Sequence, residues 1–266
     1  MISDLFNITP SKIYVNGIHK KSNSKTCDLE GNITLEFENE IYSCENMFSG
    51  LTNIKEVDLS NFDTSKVTNM ANMFLDCTNL EKINLWNINT TLVENMSGFF
   101  KNCKNLMSVD LSYFDTSSVT TMFEMFKNCN KLKSIDASSF NTSKVTDMGE
   151  IFGYCGSLMA VDISNFDTSK VTNMGGMFYH CTTLKYLDAK SFTDSSLNNI
   201  NYMFSSVKLI YLNFKNFKIN TISSIDPQQF NESPTTVQYS CIDDEDTKNY
   251  LNTNYVKDKA IYKFTP

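Results

Sequence analysis

The chain has 266 residues, 41% hydrophobic and 12% aromatic, with a formal net charge of -7. That is enough apolar material for a sizeable core, and so mild an acidic excess argues against nucleic acid as the main partner. No run approaches the roughly 18 consecutive apolar residues of a membrane-spanning helix, so no transmembrane segment is expected.

The first residues, Met1-Ile2-Ser3-Asp4-Leu5-Phe6-Asn7, carry neither the basic region nor the long apolar stretch of a secretory signal. Residues 1–46 read as an N-terminal cap with two strand-like runs, Ile13-Tyr14-Val15 and Ile33-Thr34-Leu35-Glu36-Phe37, on either side of the polar stretch Lys20 to Lys25. Ile41, Cys44, Met47 and Phe48 then fall into the columns of a repeat, so the cap merges with the first unit.

Residues 47–226 read as seven units of 26 residues, marked by Phe48, Phe74, Phe100, Phe126, Phe152, Phe178 and Phe204. A fixed period in this range signals a solenoid, in which each unit covers the apolar face of its neighbour. Each unit opens on a short apolar run, such as Leu80-x-x-Ile83-x-Leu85 or Leu158-x-x-Val161-x-Ile163, whose end alternates as a strand does. In the seventh unit the run is Leu209 to Phe214, after a one-residue deletion. A polar turn follows, Asn-Phe-Asp-Thr-Ser in its commonest form (Asn61 to Ser65, Asn165 to Ser169). Apolar residues then fall at Val67, Met70, Met73, Phe74 and Cys77, a spacing that marks one face of a helix. Gly98, Gly149, Gly175 and Gly176 weaken helix propensity there, so short α or 3-10 turns are expected. Thr91-x-x-Glu94 has the spacing of a capping box, and Ser65-x-x-Thr68 that of a weaker cap.

Residues 227–266 read as a C-terminal cap. Gln228 to Pro234 is a polar link, Thr235 to Tyr239 a last strand, Asp243-Asp244-Glu245-Asp246 the acidic opening of a helix to about Tyr255, and Ile261 to Phe264 an edge strand.

Cys77, Cys103, Cys129, Cys155 and Cys181 recur once per unit, but Leu51 and Val207 stand in or next to the same column in the end units. A position that accepts plain hydrophobes reads as core, so buried free thiols are favoured over partial disulfides or metal. Cys27, Cys44 and Cys241 lie outside this ladder, and a bridge between Cys27 and Cys44 stays open. The methionine column from Met70 to Met174 continues as Ile200 and Ile225, so it too reads as packing rather than a copper site. No cofactor is implied. His19 and His180 are the only histidines and no glycine-rich phosphate loop occurs, so an enzyme has little material here. Sequons begin at Asn7, Asn32, Asn89, Asn141 and Asn231, although turn chemistry explains Asn89 and Asn141 without sugar.

The outward position of successive strands holds Asp58, Asn84, Asp110, Asp136, Asp162, Asp188 and Asn213. This column is either a carboxylate strip for a cation, a basic group or a polyhydroxylated ligand, or a solvated ladder bonded to neighbours such as Ser60, Ser112, Ser138 and Ser164. The second reading is favoured. Trp86, Tyr113, Tyr186 and Tyr211 interrupt otherwise small, polar columns of the same face, and exposed rings are common anchors in recognition.

The motif Leu-x-x-[Val/Ile]-Asp-[Leu/Ile/Ala]-Ser-x-Phe-[Asp/Asn]-Thr-Ser-x-Val-Thr-x-Met-x-x-Met-Phe-x-x-Cys resembles that of the BspA-like leucine-rich-repeat surface proteins over roughly residues 33–225. The resemblance implies an α/β repeat solenoid, a right-handed leucine-rich-repeat-like coil with a parallel sheet on one face, short α or 3-10 turns on the other, and distinct caps. It also implies a protein- or glycan-binding module at the cell surface, in adhesion or host interaction, with the ligand on the strand face or along the adjoining turns. One departure stands out. Where leucine-rich repeats usually carry an asparagine ladder after the strand, this chain has Phe62, Ile88, Phe114, Phe140, Phe166, Phe192 and Phe217. Turn backbone groups must then bond elsewhere, with Asp63, Asp115, Asp167 and their Thr and Ser neighbours the nearest candidates. The N-terminus conflicts with a surface location, so an intracellular interaction scaffold is the alternative.

Overall fold

The computed structural model describes residues 11–15, 18–20, 33–217 and 239–241. Near the N-terminus, β1 (Lys12–Val15), β2 (Ile18–Lys20) and β3 (Ile33–Glu36) form an antiparallel sheet in the order β2-β1-β3. β1 and β3 are the two runs read from sequence, and β2 is additional. Phe37, just past β3, sets its ring edge-on against Phe62 of the first coil at 5.6 Å.

The units then stack as a solenoid. Short parallel strands run through β4 (Glu56–Asp58), β5 (Lys82–Asn84), β6 (Ser134–Asp136), β7 (Ala160–Asp162), β8 (Tyr186–Asp188), β9 (Tyr211–Asn213) and β10 (Tyr239–Cys241). Strands pair in register with the same column of the next unit, as in Val57 with Ile83 and Ile135 with Val161. The expected single sheet is instead three pieces, β4-β5, β6-β7 and β8-β9-β10, and the run Leu106 to Leu111 forms no strand. The unbroken ladder lies elsewhere. Ser43, Asn69, Asn95, Thr121, Asp147, Asn173 and Asn199 form consecutive parallel bridges from coil to coil. With the coils tied together there, pairing on the strand side is free to lapse.

The short helices expected after each polar turn are absent from the described residues, and so are the helix caps assigned to Thr91 and Ser65. The segment is a run of interlocking β-turns. The amides of Met73, Leu75 and Cys77 bond back to the carbonyls of Met70, Asn72 and Phe74, while those of Asn72, Phe74 and Asp76 bond across to Ser97, Phe99 and Lys101. Amides thus alternate between their own coil and the next, and every one from Asn72 to Cys77 has a backbone acceptor. Turns at Met70–Met73 and Phe74–Cys77 put φ values of 56° and 61° on their third residues, Asn72 and Asp76, as a type II turn requires. The inward positions, Met70, Met73, Phe74 and Cys77, are spaced as on a helix face, which is why the periodicity suggests one.

The polar turn is held from within the core. Thr64, Thr90, Thr116, Thr142 and Thr168 are buried. Each hydroxyl serves two backbone groups of the next coil: Thr116 Oγ1 donates to the Asn141 carbonyl at 3.0 Å and accepts from the Asn141 amide at 2.8 Å. Asp63, Asp115 and Asp167 cap the same turns by accepting from the amides of Ser65, Ser117 and Ser169. These are the partners that the missing asparagine ladder required.

Between the two sides lies one continuous apolar core. The phenylalanine column stacks ring on ring from Phe48 to Phe204, with centroids 5.2 to 5.8 Å apart and interplanar angles of 8° to 24°. A second stack runs through Phe114, Phe140 and Phe166. Cys44, Cys77, Cys103, Cys129, Cys155 and Cys181 are buried free thiols. The Cys27–Cys44 bridge left open from sequence involves Cys27, which lies outside the described residues. From Cys77 to Cys181, each S–H donates to the carbonyl of a phenylalanine in the preceding coil, as Cys129 does to Phe100 at 3.2 Å. Burial pushes the thiols of Cys44, Cys77 and Cys155 up to about 12 and those of Cys103, Cys129 and Cys181 well above the ordinary range. The predicted segments Gln228–Pro234, Asp243–Tyr255 and Ile261–Phe264 lie outside the described residues.

Candidate functional site

The strand face is built from the last residue of each short strand and from Asp110, which holds the same column in the coil whose run forms no strand. Asp58, Asp110, Asp136 and Asp162 are exposed, as is Asn84, while Asp188 is half-buried and Asn213 buried. Each side chain folds back to accept the amide two residues on: Asp58 from Ser60 at 2.9 Å, Asn84 from Trp86 at 3.0 Å, Asp136 from Ser138 at 3.0 Å and Asp188 from Lys190 at 3.2 Å. Ser112, Ser138 and Ser164 also donate their hydroxyls to Asp110, Asp136 and Asp162. Asn84 and Asn213 reach across to the carboxylates of Asp58 and Asp188. This is the bonded ladder favoured from sequence. It ends each strand after three residues by turning the chain.

These bonds set the electrostatics. Donation from the Ser60 amide and hydroxyl holds the Asp58 carboxyl below the usual range, and the hydroxyls and amides of Ser112 and Ser138 do the same for Asp110 and Asp136. The face therefore stays anionic at neutral pH. Among the described residues no three His, Cys, Asp or Glu side chains come together in a way that would hold a metal ion. What the strip offers is a row of oriented acceptors. Its cation contact among the described residues is loose, Lys190 Nζ to Asp188 Oδ2 at 3.7 Å.

The aromatic candidates fall into two groups. Trp86 (57% exposed) and Tyr113 lie on consecutive coils in adjoining columns. Tyr186 (61% exposed) faces Tyr211 across the β8-β9 pair. Three coils separate Trp86 from the second group, so the four residues form two patches on one face rather than a single cluster.

Sequence reasoning missed a second region, on the interlocking turns. An open groove of about 490 Å³ is lined there by Tyr154, Tyr179 and Tyr202, with Gly175 and Gly176 beneath and Lys127 and Glu150 at its margin. Lys127 Nζ bridges Glu124 and Glu150, at 2.6 Å to each, and Glu124 also takes Lys101. Burial opposes the charge on Glu124, but bonds from Lys101 and Lys127 outweigh it and hold the carboxyl below its usual range. The same balance raises Lys127: burial works against its charge, and Glu124 and Glu150 overcome it. The signal for this region was present in the columns, where Tyr154 and Tyr202 replace the Asn, Gly and Asp of the N-terminal coils.

Comparison with known proteins bears on the family. The profile of the family described as "Mycoplasma protein of unknown function, DUF285" matches residues 42–158 and 132–240. A solved leucine-rich repeat protein from Bacteroides ovatus ATCC 8483 is similar over 82% of this chain and 56% of its own length, at 18% identity and a TM-score of 0.45. The chain thus spans little more than half the length of that protein. No curated protein matches the sequence.

Proposed function

From the premise that the chain belongs to the family described as Mycoplasma protein of unknown function, DUF285, we propose that it is a non-enzymatic recognition module whose strand face binds a protein or glycan at a cell surface, in adhesion or host interaction. The observation that carries the reading is the exposure of Trp86 and Tyr186 above a row of bonded carboxylates. Rings held on a stacked core bury large area at little cost in side-chain entropy, which suits them as anchors. The acceptors beside them meet basic or hydroxylated groups without a further loss of order. The candidate contacts are Asp58, Asn84, Trp86, Asp110, Tyr113, Asp136, Asp162, Tyr186, Asp188 and Tyr211.

Binding of purified chain to immobilised host extracellular-matrix proteins and mucin tests this directly. Trp86→Ala and Tyr113→Ala are each expected to weaken the interaction about tenfold while leaving the thermal midpoint within a few degrees, since both side chains are exposed. Undiminished binding by the folded double variant would remove this patch from the reading. The alternative, an intracellular interaction scaffold, draws on the six unbridged thiols, a pattern commoner in reducing compartments.

A further inference from the structure

Three residues that line the groove on the interlocking turns, Glu150, Tyr154 and Tyr202, have positive φ, a backbone conformation that their side chains disfavour. Two columns of the solenoid carry positive φ. The first runs Asn46, Asn72, Gly98, Glu124, Glu150, Gly176, Tyr202, and the second Gly50, Asp76, Asn102, Asn128, Tyr154, His180, Ser206. Through most of the N-terminal half they hold Asn, Asp or Gly, the residues that tolerate the left-handed region. In the second column this choice also builds a ladder, with Asn102 Nδ2 donating to Asp76 and Asn128 Nδ2 to Asn102, each at 2.6 Å.

Towards the C-terminal half the choice changes. Tyr154 (φ 61°) and Tyr202 (φ 58°) place bulky rings where such a side chain is a conformational outlier, while His180 (φ 57°) is of a type that enters this region more readily. Such outliers persist where the surrounding structure over-determines them, and they cluster at functional sites. These three converge. Tyr154 stacks on His180 at 5.0 Å, Tyr179 meets Tyr154 edge-on at 4.9 Å, and Tyr179 lies 5.9 Å from Tyr202. Tyr154, Tyr179 and Tyr202, though not His180, wall a groove whose floor is Gly175 and Gly176. A Cβ on Gly176 would come within 2.7 Å of Glu150 Cγ, so glycine there keeps the floor open beside the Glu150 side chain.

A packing role accounts for the rings less well. Tyr154 and Tyr202 remain 36% and 45% exposed, and Asn fills the Tyr154 column in the two preceding coils with its own bonded ladder. The charges at the margin decide the ligand class. Lys127 and Glu150 neutralise each other at 2.6 Å, so the lining favours neither a cationic nor an anionic peptide. It combines ring faces with an ammonium, a carboxylate and the Asn201 amide, which are donors and acceptors for hydroxyl groups.

We propose that this groove is a saccharide-binding site, in which a neutral glycan segment lays its rings on Tyr154 and Tyr202 and its hydroxyls bond to Glu150, Lys127 and Asn201. It shares no residue with the strand face, so either site can fail without the other.

The test uses the full chain and a panel of short, neutral chito-, cello-, malto-, xylo- and galacto-oligosaccharides, read by saturation-transfer NMR and calorimetry. At least one series is expected to bind. Tyr154→Asn and Tyr202→Gly are each expected to weaken that binding about tenfold or more, with thermal midpoints unchanged or raised because the left-handed strain is relieved. Three results would overturn the proposal: no binding across the panel, binding that survives both substitutions together, or a marked fall in the midpoint of either variant. The last would show that the tyrosines are packing residues.

Discussion

Raising the pH from 9 to 11 is expected to unfold this protein. The six buried thiols hold their protons in the folded state well past the pH at which free thiols ionise, Cys44, Cys77 and Cys155 to about 12. Above pH 9 the unfolded chain therefore releases protons that the folded chain keeps. Stability is fully present below the unfolded value and falls as pH rises towards the folded one. Each thiol contributes a slope of about 1.4 kcal/mol per pH unit, so six together give roughly 8 kcal/mol per unit. Against a typical total of about 5 to 15 kcal/mol, one to two units suffice. Far-ultraviolet circular dichroism against pH should show a steep loss centred between about pH 10 and 11. At pH 8 these same thiols should resist a thiol-disulfide reagent until denaturant is added. Cys129→Val, which puts an aliphatic side chain where Leu51 already stands in the same column, should make the transition shallower by one thiol's share. Retained structure at pH 11.5, or ready labelling of the native thiols at pH 8, would refute this account of the column.

Phe126→Ala should cost about 3 to 5 kcal/mol, the range for removing a fully buried aromatic ring. Phe126 is the middle ring of the stack, 5.8 Å from Phe100 on one side and Phe152 on the other. Its loss removes two ring contacts and leaves a void that the stacked coils cannot close without breaking their bridge ladder. Because each coil touches only its neighbours, the damage falls on the coupling between the two halves of the solenoid. Denaturant unfolding of the variant should begin earlier and broaden or split into two steps. A loss under about 1 kcal/mol with a single sharp transition would mean that the stack contributes little.

The parts of the fold that are legible in the sequence are those in which burial selects residue type column by column. Phe74, Cys77, Leu80 and Val67 recur at 26-residue spacing because each coil must fill the same slot, and all four positions are buried. The turn run reads as a helix in sequence because Met70, Met73, Phe74 and Cys77 are spaced alike in a helix and in linked β-turns. Apolar spacing alone does not separate the two. Asn72, Asp76, Asn102 and Asn128 do, since a column of left-handed-tolerant residues at every repeat is poor helix chemistry and good turn chemistry. Gly98 and Gly176 look like weak points of a helix, whereas both have φ of 62° within such a column.

The strand-face candidates are visible because Trp86 and Tyr113 break columns of small polar residues. Tyr154 and Tyr202 break their columns in the same way, but their meaning depends on a backbone conformation that a helical reading hides. The gaps in the sheet have no sequence signal, since Leu106-x-x-Val109-x-Leu111 has the same pattern as the runs that do pair.

We propose that this solenoid presents a recognition surface outside the cell. The most direct test is to label intact cells with a membrane-impermeant amine reagent, recover the protein and compare it with protein labelled after lysis. The exposed lysines of the coils, Lys82 and Lys190 among them, supply the reactive groups. Strong labelling before lysis is the predicted result. Labelling only after lysis would contradict the surface reading and favour an intracellular scaffold.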